Sequence, residues 1–223
     1  GLPEIAGTAC PPECSLCAEA CPTDAVTRSG ESVALDMGKC LFCSACAKAC
    51  PSKTIAFTKQ HDLAAFRRES LIRTKDSGYE YELQPNRQIA DLCRRSLKIR
   101  QVSAGGCAAC ELDFNVLNTL AWDMGRFSIQ VVASPRHADC VLVTGPVSRN
   151  MLLALKKTYE AVPKPSFVIA CGTCAISGGL YAENPETCSG VEEILKPDLY
   201  VPGCPPHPAT LLEALIRFLG RRL

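Results

Sequence analysis

The chain has 223 residues, 16 cysteines and a formal net charge of +1. This length suits two modest domains, and the balanced charge excludes a polybasic protein that binds nucleic acid or an anionic membrane surface by charge alone. The sequence has no run of about 18 apolar residues, so we expect no transmembrane segment of its own. Because no signal-like segment precedes the first cysteine, we expect a reducing cytoplasm and metal-bound thiolates rather than disulfides.

Two cysteine runs, each followed by a proline, dominate the first 57 residues. The second run has the C-x2-C-x2-C-x3-C-P spacing of bacterial two-cluster ferredoxins, in which the fourth cysteine binds the other cluster. We therefore predict a first [4Fe–4S] cluster bound by Cys10, Cys14, Cys17 and Cys50. The second cluster would be bound by Cys40, Cys43, Cys46 and Cys21. Three residues instead of two separate Cys10 from Cys14, which leaves the role of Cys10 open.

A pair of zinc ribbons is the alternative for these runs, since a repeated C-x2-C spacing is also typical of zinc sites. The duplicated fourth cysteine and its trailing proline favour iron–sulfur clusters. Residues 1–57 are thus predicted to form a two-cluster ferredoxin domain of short strands and short helices. So short a segment buries little apolar surface, and the clusters would supply most of its cross-linking.

Residues 58–96 are charged and irregular, but they also contain Leu, Ile, Phe and Tyr. This composition is too polar for a separate domain and too apolar for a simple flexible linker. We interpret the segment as a docking strap that lies on a partner or on the next domain. A solvated connector is the alternative.

From residue 97 onward, apolar strands alternate with helical patterns. Strands are predicted over 97–103, 127–134, 138–145, 166–174 and 198–204. Helices are predicted over 111–124, 148–162 and 205–223, with Ser148 as an N-cap and with Arg221 and Arg222 in the last turn. This alternation predicts a flavodoxin-like, doubly wound parallel sheet over residues 97–223, so the whole chain combines α+β and α/β architecture.

Ligands of such sheets bind beyond the carboxyl ends of the strands, and three loops at that edge carry cysteines. Cys107 and Cys110 follow the first strand, and Cys204 follows the fifth. With one of Cys171 and Cys174 after the fourth strand, they would hold a third [4Fe–4S] cluster. Zinc is again the alternative. Cys93, Cys140 and Cys188 are left over, and Cys140 is predicted to be a core residue.

Residues 97–219 resemble the small electron-transfer subunit of membrane-bound, energy-converting [NiFe] hydrogenases, including formate hydrogenlyase. They are also similar to the homologous proximal-cluster subunit of respiratory complex I. Residues 34–75 are similar to the ferredoxin-type subunit that partners those hydrogenases. The segments that carry the main resemblance are SAGGCAACELDFNVLN, VVASPRHADCVLVTGPVSRNM, CGTCAISGG and VPGCPPHP.

The resemblance implies that the ligands of the third cluster are Cys107, Cys110, Cys174 and Cys204. It leaves Cys171 in the strand. Two residues separate Cys107 from Cys110, as in the hydrogenases, whereas the complex I subunit has adjacent cysteines at this position.

The resemblance also implies a role. The chain would relay electrons through three [4Fe–4S] clusters to the active site of a separate large catalytic [NiFe] subunit, without a complete active site of its own. Membrane subunits of the same complex would hold it at the cytoplasmic face, and a ferredoxin or a formate-oxidising subunit would be the electron donor. One alternative is a complex I-like or nickel-free relative that delivers electrons to quinone or a sulfur species. A zinc-stabilised binding module is the alternative from another class.

Overall fold

The computed structural model of the protein describes residues 1–5, 10–11, 13–30, 32–77, 82–84 and 86–222. The strands are β1 Pro3–Ile5, β2 Val26–Ser29, β3 Ser32–Asp36, β4 Ile55–Phe57, β5 Ile72–Thr74, β6 Leu97–Ser103, β7 Ile129–Val131, β8 Cys140–Thr144, β9 Phe167–Cys171 and β10 Leu199–Val201. The α-helices are α1 Leu16–Glu19, α2 Ala45–Ala49, α3 Arg87–Cys93, α4 Ala109–Val116, α5 Arg149–Glu160, α6 Thr173–Ser177 and α7 Pro208–Phe218.

The N-terminal region has the predicted ferredoxin-like form, with short elements around the two cysteine runs. Strand β1 pairs antiparallel with β4, and β2 pairs antiparallel with β3. Helices α1 and α2 each contain the third cysteine of a run. Strand β5, from the segment predicted as a connector, adds to the free edge of β3.

The C-terminal region is the predicted doubly wound domain. Its five strands are all parallel and lie in the order β10-β9-β8-β6-β7. Numbered within this domain, the order is 2-1-3-4-5, which is the flavodoxin-like topology. The switch point, where connections leave in opposite directions, lies between β6 and β8. Ligands of this fold bind at that point, beyond the carboxyl ends of the strands.

Alternating side chains along the buried strands give the sheet two apolar faces. In β8, Val141 and Val143 face one buried cluster, together with residues of α5, α6 and the N-terminal region. Cys140 and Leu142 face the other cluster, together with residues of α3, α4 and α7. Cys140 is fully buried, which confirms its predicted place in the core. The first cluster is continuous across the two regions, so the N-terminal region packs on one layer of the sheet domain.

The segment 58–96 packs against the sheet domain. Ala65 and Tyr200 form an antiparallel bridge with backbone hydrogen bonds of 3.0 and 2.8 Å. Arg217 of α7, which is only 1% exposed, donates to the carbonyl oxygens of Ala64 and Glu82 at 3.1 and 2.7 Å. The segment therefore lies on the next domain, which is one of the two surfaces expected for a docking strap; the other was a partner protein. The domain boundaries after residues 57 and 96 stay predictions.

The helix predicted over 111–124 is wrong in extent, because α4 begins at Ala109 and ends at Val116. Polar side chains after that point hydrogen-bond to the preceding turn. Thr119 Oγ1 donates to the Val116 carbonyl at 2.7 Å, and Asn118 Nδ2 donates to the Asn115 carbonyl at 3.4 Å. Such local bonds compete with helix continuation.

The terminal helix is also shorter than predicted, and Arg221 and Arg222 lie beyond it. Gly220 has a φ of +70° and ends the helix in a Schellman motif. In this motif the Gly220 and Arg221 amides donate to the Arg217 and Ile216 carbonyls at 2.9 and 3.1 Å. Arg217 is therefore the basic residue of the last turn.

Within the described ranges, no helix combines the length and apolar character that crossing a membrane requires.

We expect Arg217→Met to lower the free energy of unfolding of the full chain by about 3 kcal/mol. The substitution takes away both strap hydrogen bonds and the cation that lies 3.6 Å from the buried Glu213 carboxylate. Urea denaturation of the full chain measures the change. Arg136→Met is the control, since Arg136 is exposed and should change the value by less than about 0.5 kcal/mol. Equal effects of the two substitutions would contradict this role.

Candidate metal centres

The structure brings cysteines of the first predicted centre together. The Thr54 hydroxyl lies 3.2 Å from Cys10 Sγ, and the Thr54 amide donates to Cys50 Sγ at 3.4 Å. Burial raises the pKa of the Cys17 thiol, and nearby Cys50 and Cys10 raise it further. Cys14 is half-buried and lies in the turn just before α1. Cys10 and Cys50 therefore both contact Thr54, in spite of the extra residue in the run of Cys10.

The cysteines of the second predicted centre also lie close to one another. Burial and three neighbouring cysteines raise the pKa of the Cys40 thiol to about 12, although the Phe42 amide partly offsets them. Those neighbours are Cys46, Cys21 and Cys43. Cys21 comes from the first run, and Cys50 of the second run lies with the first group. The runs thus exchange their fourth cysteines, as the ferredoxin spacing predicts.

Backbone amides donate to three of these sulfur atoms. The Ala25 amide is 3.2 Å from Cys21 Sγ, and the Phe42 amide is 3.3 Å from Cys40 Sγ. The third donor is the Thr54 amide on Cys50. Hydrogen bonds to ligand sulfurs tune the potentials of iron–sulfur clusters, so these amides suit thiolates that bind iron.

A third group lies at the carboxyl edge of the parallel sheet. Cys107 lies in the loop after β6, and Cys110 lies in the first turn of α4. Cys174 lies in the first turn of α6, and Cys204 lies in the loop after β10. Burial raises the pKa of the Cys174 thiol to about 12, and the other three cysteines of this group contribute to the shift. The parallel strands therefore bring together the cysteines of three separate loops.

Cys171 touches this group from inside the sheet. It is fully buried at the end of β9, and its thiol lowers the pKa of the neighbouring Cys110. Cys174 is close to all three other members of the group, whereas Cys171 is close to Cys110. This proximity favours Cys174 as the fourth member. Its assignment as a ligand stays a prediction.

Gly172 leaves room for a sulfur atom of this group. Its φ is +89°, and a Cβ added there would lie 2.6 Å from Cys110 Sγ. The glycine thus allows the backbone after β9 to approach the Cys110 thiol closely. Such close approach of the backbone is typical of glycines beside a bound ligand.

A carboxylate is fixed beside the third group at the switch point. Glu111 Oε1 accepts a hydrogen bond from Thr144 Oγ1 at 2.6 Å. Burial alone would raise the Glu111 pKa, but hydrogen bonds from Ser103 and Thr144 lower it overall. The carboxylate therefore stays ionised at neutral pH near Cys110.

The second and third groups are linked by hydrogen bonds from α6. Thr173 Oγ1 donates to the Cys40 carbonyl at 2.8 Å, and Ser177 Oγ donates to the Gly38 carbonyl at 2.9 Å. Sequence reasoning did not identify either hydroxyl, because no motif marks a residue whose partner lies in another domain. Thr54, which contacts two sulfurs of its own domain, was also missed, because it lies outside the cysteine motif.

The donor set fits iron–sulfur clusters, since it consists of thiols, amide donors to sulfur and a glycine that clears space. In the part of the chain that the structure describes, no three His, Cys, Asp or Glu side chains converge closely enough to hold a single metal ion. A [4Fe–4S] cluster needs a wider arrangement, because each of its four thiolates binds a different iron atom.

These sites and folds define an iron–sulfur protein of the oxidoreductase class. Residues 107–218 match the family described as NADH ubiquinone oxidoreductase, 20 Kd subunit, and residues 9–54 match a 4Fe-4S dicluster domain. The chain belongs to this 20 Kd subunit family and is an electron-transfer subunit with a 4Fe-4S binding domain. The family predicted from the sequence is confirmed.

The similar proteins are subunits of larger complexes. The chain is 39% identical over 138 residues to the probable membrane-bound hydrogenase subunit mbhJ of Pyrococcus furiosus, covering 60% of this chain and 83% of that protein. It is 40% identical over 112 residues to an NADH-quinone oxidoreductase subunit of Citrifermentans bemidjiense, covering 50% of this chain and 65% of that protein. A solved structure of an archaeal membrane-bound sulfane sulfur reductase matches with a TM-score of 0.52 and 29% identity, over 60% of this chain and 73% of its own.

We expect Cys174→Ala to reduce the iron content from about twelve to about eight atoms per chain, because one of the three predicted [4Fe–4S] clusters would lose a ligand. Cys171→Ala should keep about twelve, because the resemblance leaves this residue outside the ligand set. Anaerobic reconstitution followed by iron analysis measures both. Iron loss in Cys171→Ala with retention in Cys174→Ala would reverse the assignment.

We expect Gly172→Ala to weaken or remove the spectroscopic signal of the predicted third cluster, because the added methyl group would lie too close to Cys110 Sγ. Gly30→Ala is the matched control. Gly30 also has a positive φ, of +61°, but nothing lies within 4 Å of an added Cβ. Its cost should be limited to backbone strain of about 1–2 kcal/mol in stability. EPR of the reduced proteins separates the two outcomes. Equal spectra of the two variants would contradict the role of Gly172 in leaving room for Cys110 Sγ.

Proposed function

We propose that this chain relays single electrons through three [4Fe–4S] clusters to the active site of a separate large subunit. The observation that carries this proposal is the direct hydrogen-bonded contact between α6, which contains Cys174, and the loop that contains Cys40. Since Cys21 and Cys50 are exchanged between the first two groups, the three groups form one continuous series.

The proposed ligands follow the three groups described above. The first cluster takes Cys10, Cys14, Cys17 and Cys50, the second takes Cys40, Cys43, Cys46 and Cys21, and the third takes Cys107, Cys110, Cys174 and Cys204. In domain terms, residues 1–57 hold the first two clusters, residues 58–96 are the strap, and residues 97–223 hold the third.

The protein's part in this function is to bind, separate and shield the clusters. When bound, each cluster accepts and releases one electron, and the redox chemistry is its own. The buried thiols Cys10, Cys17, Cys40, Cys46 and Cys50 limit access of water to the first two sites. The Ala25, Phe42 and Thr54 amides stabilise charge on the ligand sulfurs, which raises the potentials of those sites.

The third site has an exposed side that suits a partner subunit. Cys107 and Cys204 are exposed, and so are Leu112 on α4 and Leu120 in the turn after it. Leu120 is 100% exposed, although leucine is normally buried. Exposed leucines on and just after the helix that carries Cys110 support a surface that a partner covers. We assign this surface to the large subunit that receives the electrons.

We propose that the large subunit is of the [NiFe] hydrogenase type and catalyses 2H⁺ + 2e⁻ ⇌ H₂. The mbhJ relative and the two-residue spacing between Cys107 and Cys110 support this choice. In this assignment, membrane subunits hold the chain at the cytoplasmic face, and a ferredoxin or a formate-oxidising subunit supplies the electrons.

The second candidate is a nickel-free or complex I-like assembly. The similarity to the sulfane sulfur reductase structure and to the NADH-quinone oxidoreductase subunit favours it. The electrons would then reach a sulfur species or quinone, while the roles of this chain's residues stay the same.

The test is to purify the native complex through a tag on this chain and to measure nickel content and viologen-driven hydrogen evolution. We expect stoichiometric nickel and hydrogen evolution, both absent from the isolated chain, because the active site belongs to another subunit. A complex without nickel or hydrogen evolution that reduces polysulfide or quinone would select the second candidate. Zinc in place of iron would contradict the electron-transfer function itself.

A further inference from the structure

We propose that Thr173 is a positioning residue that fixes the second and third metal centres relative to each other. This inference rests on the proposed function, since it needs both centres to be filled. Thr173 lies between Gly172 and Cys174 in the first turn of α6, and its side chain is fully buried.

The Thr173 hydroxyl lies at the meeting point of three cysteine-bearing segments. It is 2.8 Å from the Cys40 carbonyl oxygen and 3.1 Å from the Gly203 carbonyl oxygen. Cys40 belongs to the second group, and Gly203 directly precedes Cys204 of the third. The Thr173 amide also donates to the Gly203 carbonyl at 2.9 Å. One residue therefore contacts the backbone beside Cys40, Cys174 and Cys204.

The lengths of these bonds indicate that the Thr173 hydroxyl donates to the Cys40 carbonyl of the second centre. A threonine hydroxyl has one proton to donate, and the Gly203 carbonyl already accepts a bond from the Thr173 amide. The Cys40 carbonyl is the nearer acceptor of the hydroxyl. The amide thus binds the Cys204 loop, and the hydroxyl binds the Cys40 loop.

Ser177 extends the same contact by one helical turn. Residues four apart lie on one face of a helix, and the Ser177 hydroxyl donates to the Gly38 carbonyl at 2.9 Å. One face of α6 is therefore bonded at two points to the loop that leads into Cys40. Because Cys174 is on the same short helix, movement of α6 away from this loop would separate the two centres.

Loss of the Thr173 hydroxyl would leave a buried carbonyl without this donor, which favours entry of water or a shift of the Cys40 loop. Residues that orient the ligands of a metal site change its function when they are removed, even though they bind no metal. The expected consequence is a larger or less uniform separation of the two centres, with unchanged cluster content.

The experiment compares Thr173→Val, which keeps the branched shape, with Thr173→Ser, which keeps the hydroxyl. Thr158→Val is the matched control, because in the described part of the chain the Thr158 hydroxyl donates to the Ala154 carbonyl of its own helix. The reconstituted full chain is assayed for iron content, for the magnetic interaction between the reduced second and third clusters by EPR, and for the rate of electron transfer between them after flash reduction.

We expect Thr173→Val to keep about twelve iron atoms, to show a weakened magnetic interaction and to transfer electrons about tenfold more slowly. Thr173→Ser should restore both quantities, and Thr158→Val should match the wild type. An unchanged interaction and rate in Thr173→Val would overturn the inference, and so would a Thr173→Ser variant that behaves like Thr173→Val.

Ser177→Ala keeps the inference testable if Thr173→Val loses iron. It removes the second bond to the Cys40 loop and should weaken the interaction in the same direction. A wild-type interaction in Ser177→Ala, combined with iron loss in Thr173→Val, would assign Thr173 to assembly and overturn the positioning role. A wild-type chain with only about eight iron atoms and no third signal would instead contradict the proposed three-cluster function.

Discussion

Two hydroxyl groups on one short helix join the two cysteine-bearing regions of this chain near Cys40 and Cys174. Thr173 and Ser177 of α6 donate to carbonyl groups of the loop that leads to Cys40, and the next residue after Thr173 is Cys174. Thr173 is fully buried, so water competes little for its hydroxyl group. The relation between the ferredoxin-like region and the sheet domain depends on these bonds and on the apolar cluster that extends across both.

Burial and metal binding act together at these centres. In the metal-free chain, burial disfavours the thiolate forms of Cys40 and Cys174, whose pKa values are raised to about 12. Iron binding at the proposed centres would therefore displace protons from these thiols, which would couple cluster assembly to the folded environment. Cys50 differs, because the amide and hydroxyl of Thr54 lower its pKa in spite of its burial. The environments of these three cysteines are thus unequal.

The strap gives the chain a further connection, at the fifth strand and the last helix of the sheet domain. Its bridge to Tyr200 and its carbonyl contacts with Arg217 involve backbone groups, which suits a segment of irregular sequence. A buried arginine in this position costs desolvation energy, and the carbonyl acceptors and Glu213 compensate for it. The strap is therefore part of the packed structure. Its helix α3 contributes Ile89 and Cys93 to the core.

The amino-acid sequence by itself determined the spacing of the cysteines in the ferredoxin-like runs, the five strands of the parallel sheet and the placement of cysteines after strands that share a direction, because these features are periodic or local. It also predicted α4 and α7 too long, since apolar spacing does not register the Thr119 side-chain bond or the turn at Gly220. Only the tertiary structure decided that Thr173 meets Cys40 and that Arg217 meets Ala64. These partners are 133 and 153 positions apart, and their bonds form only after the strands and the two regions have packed together.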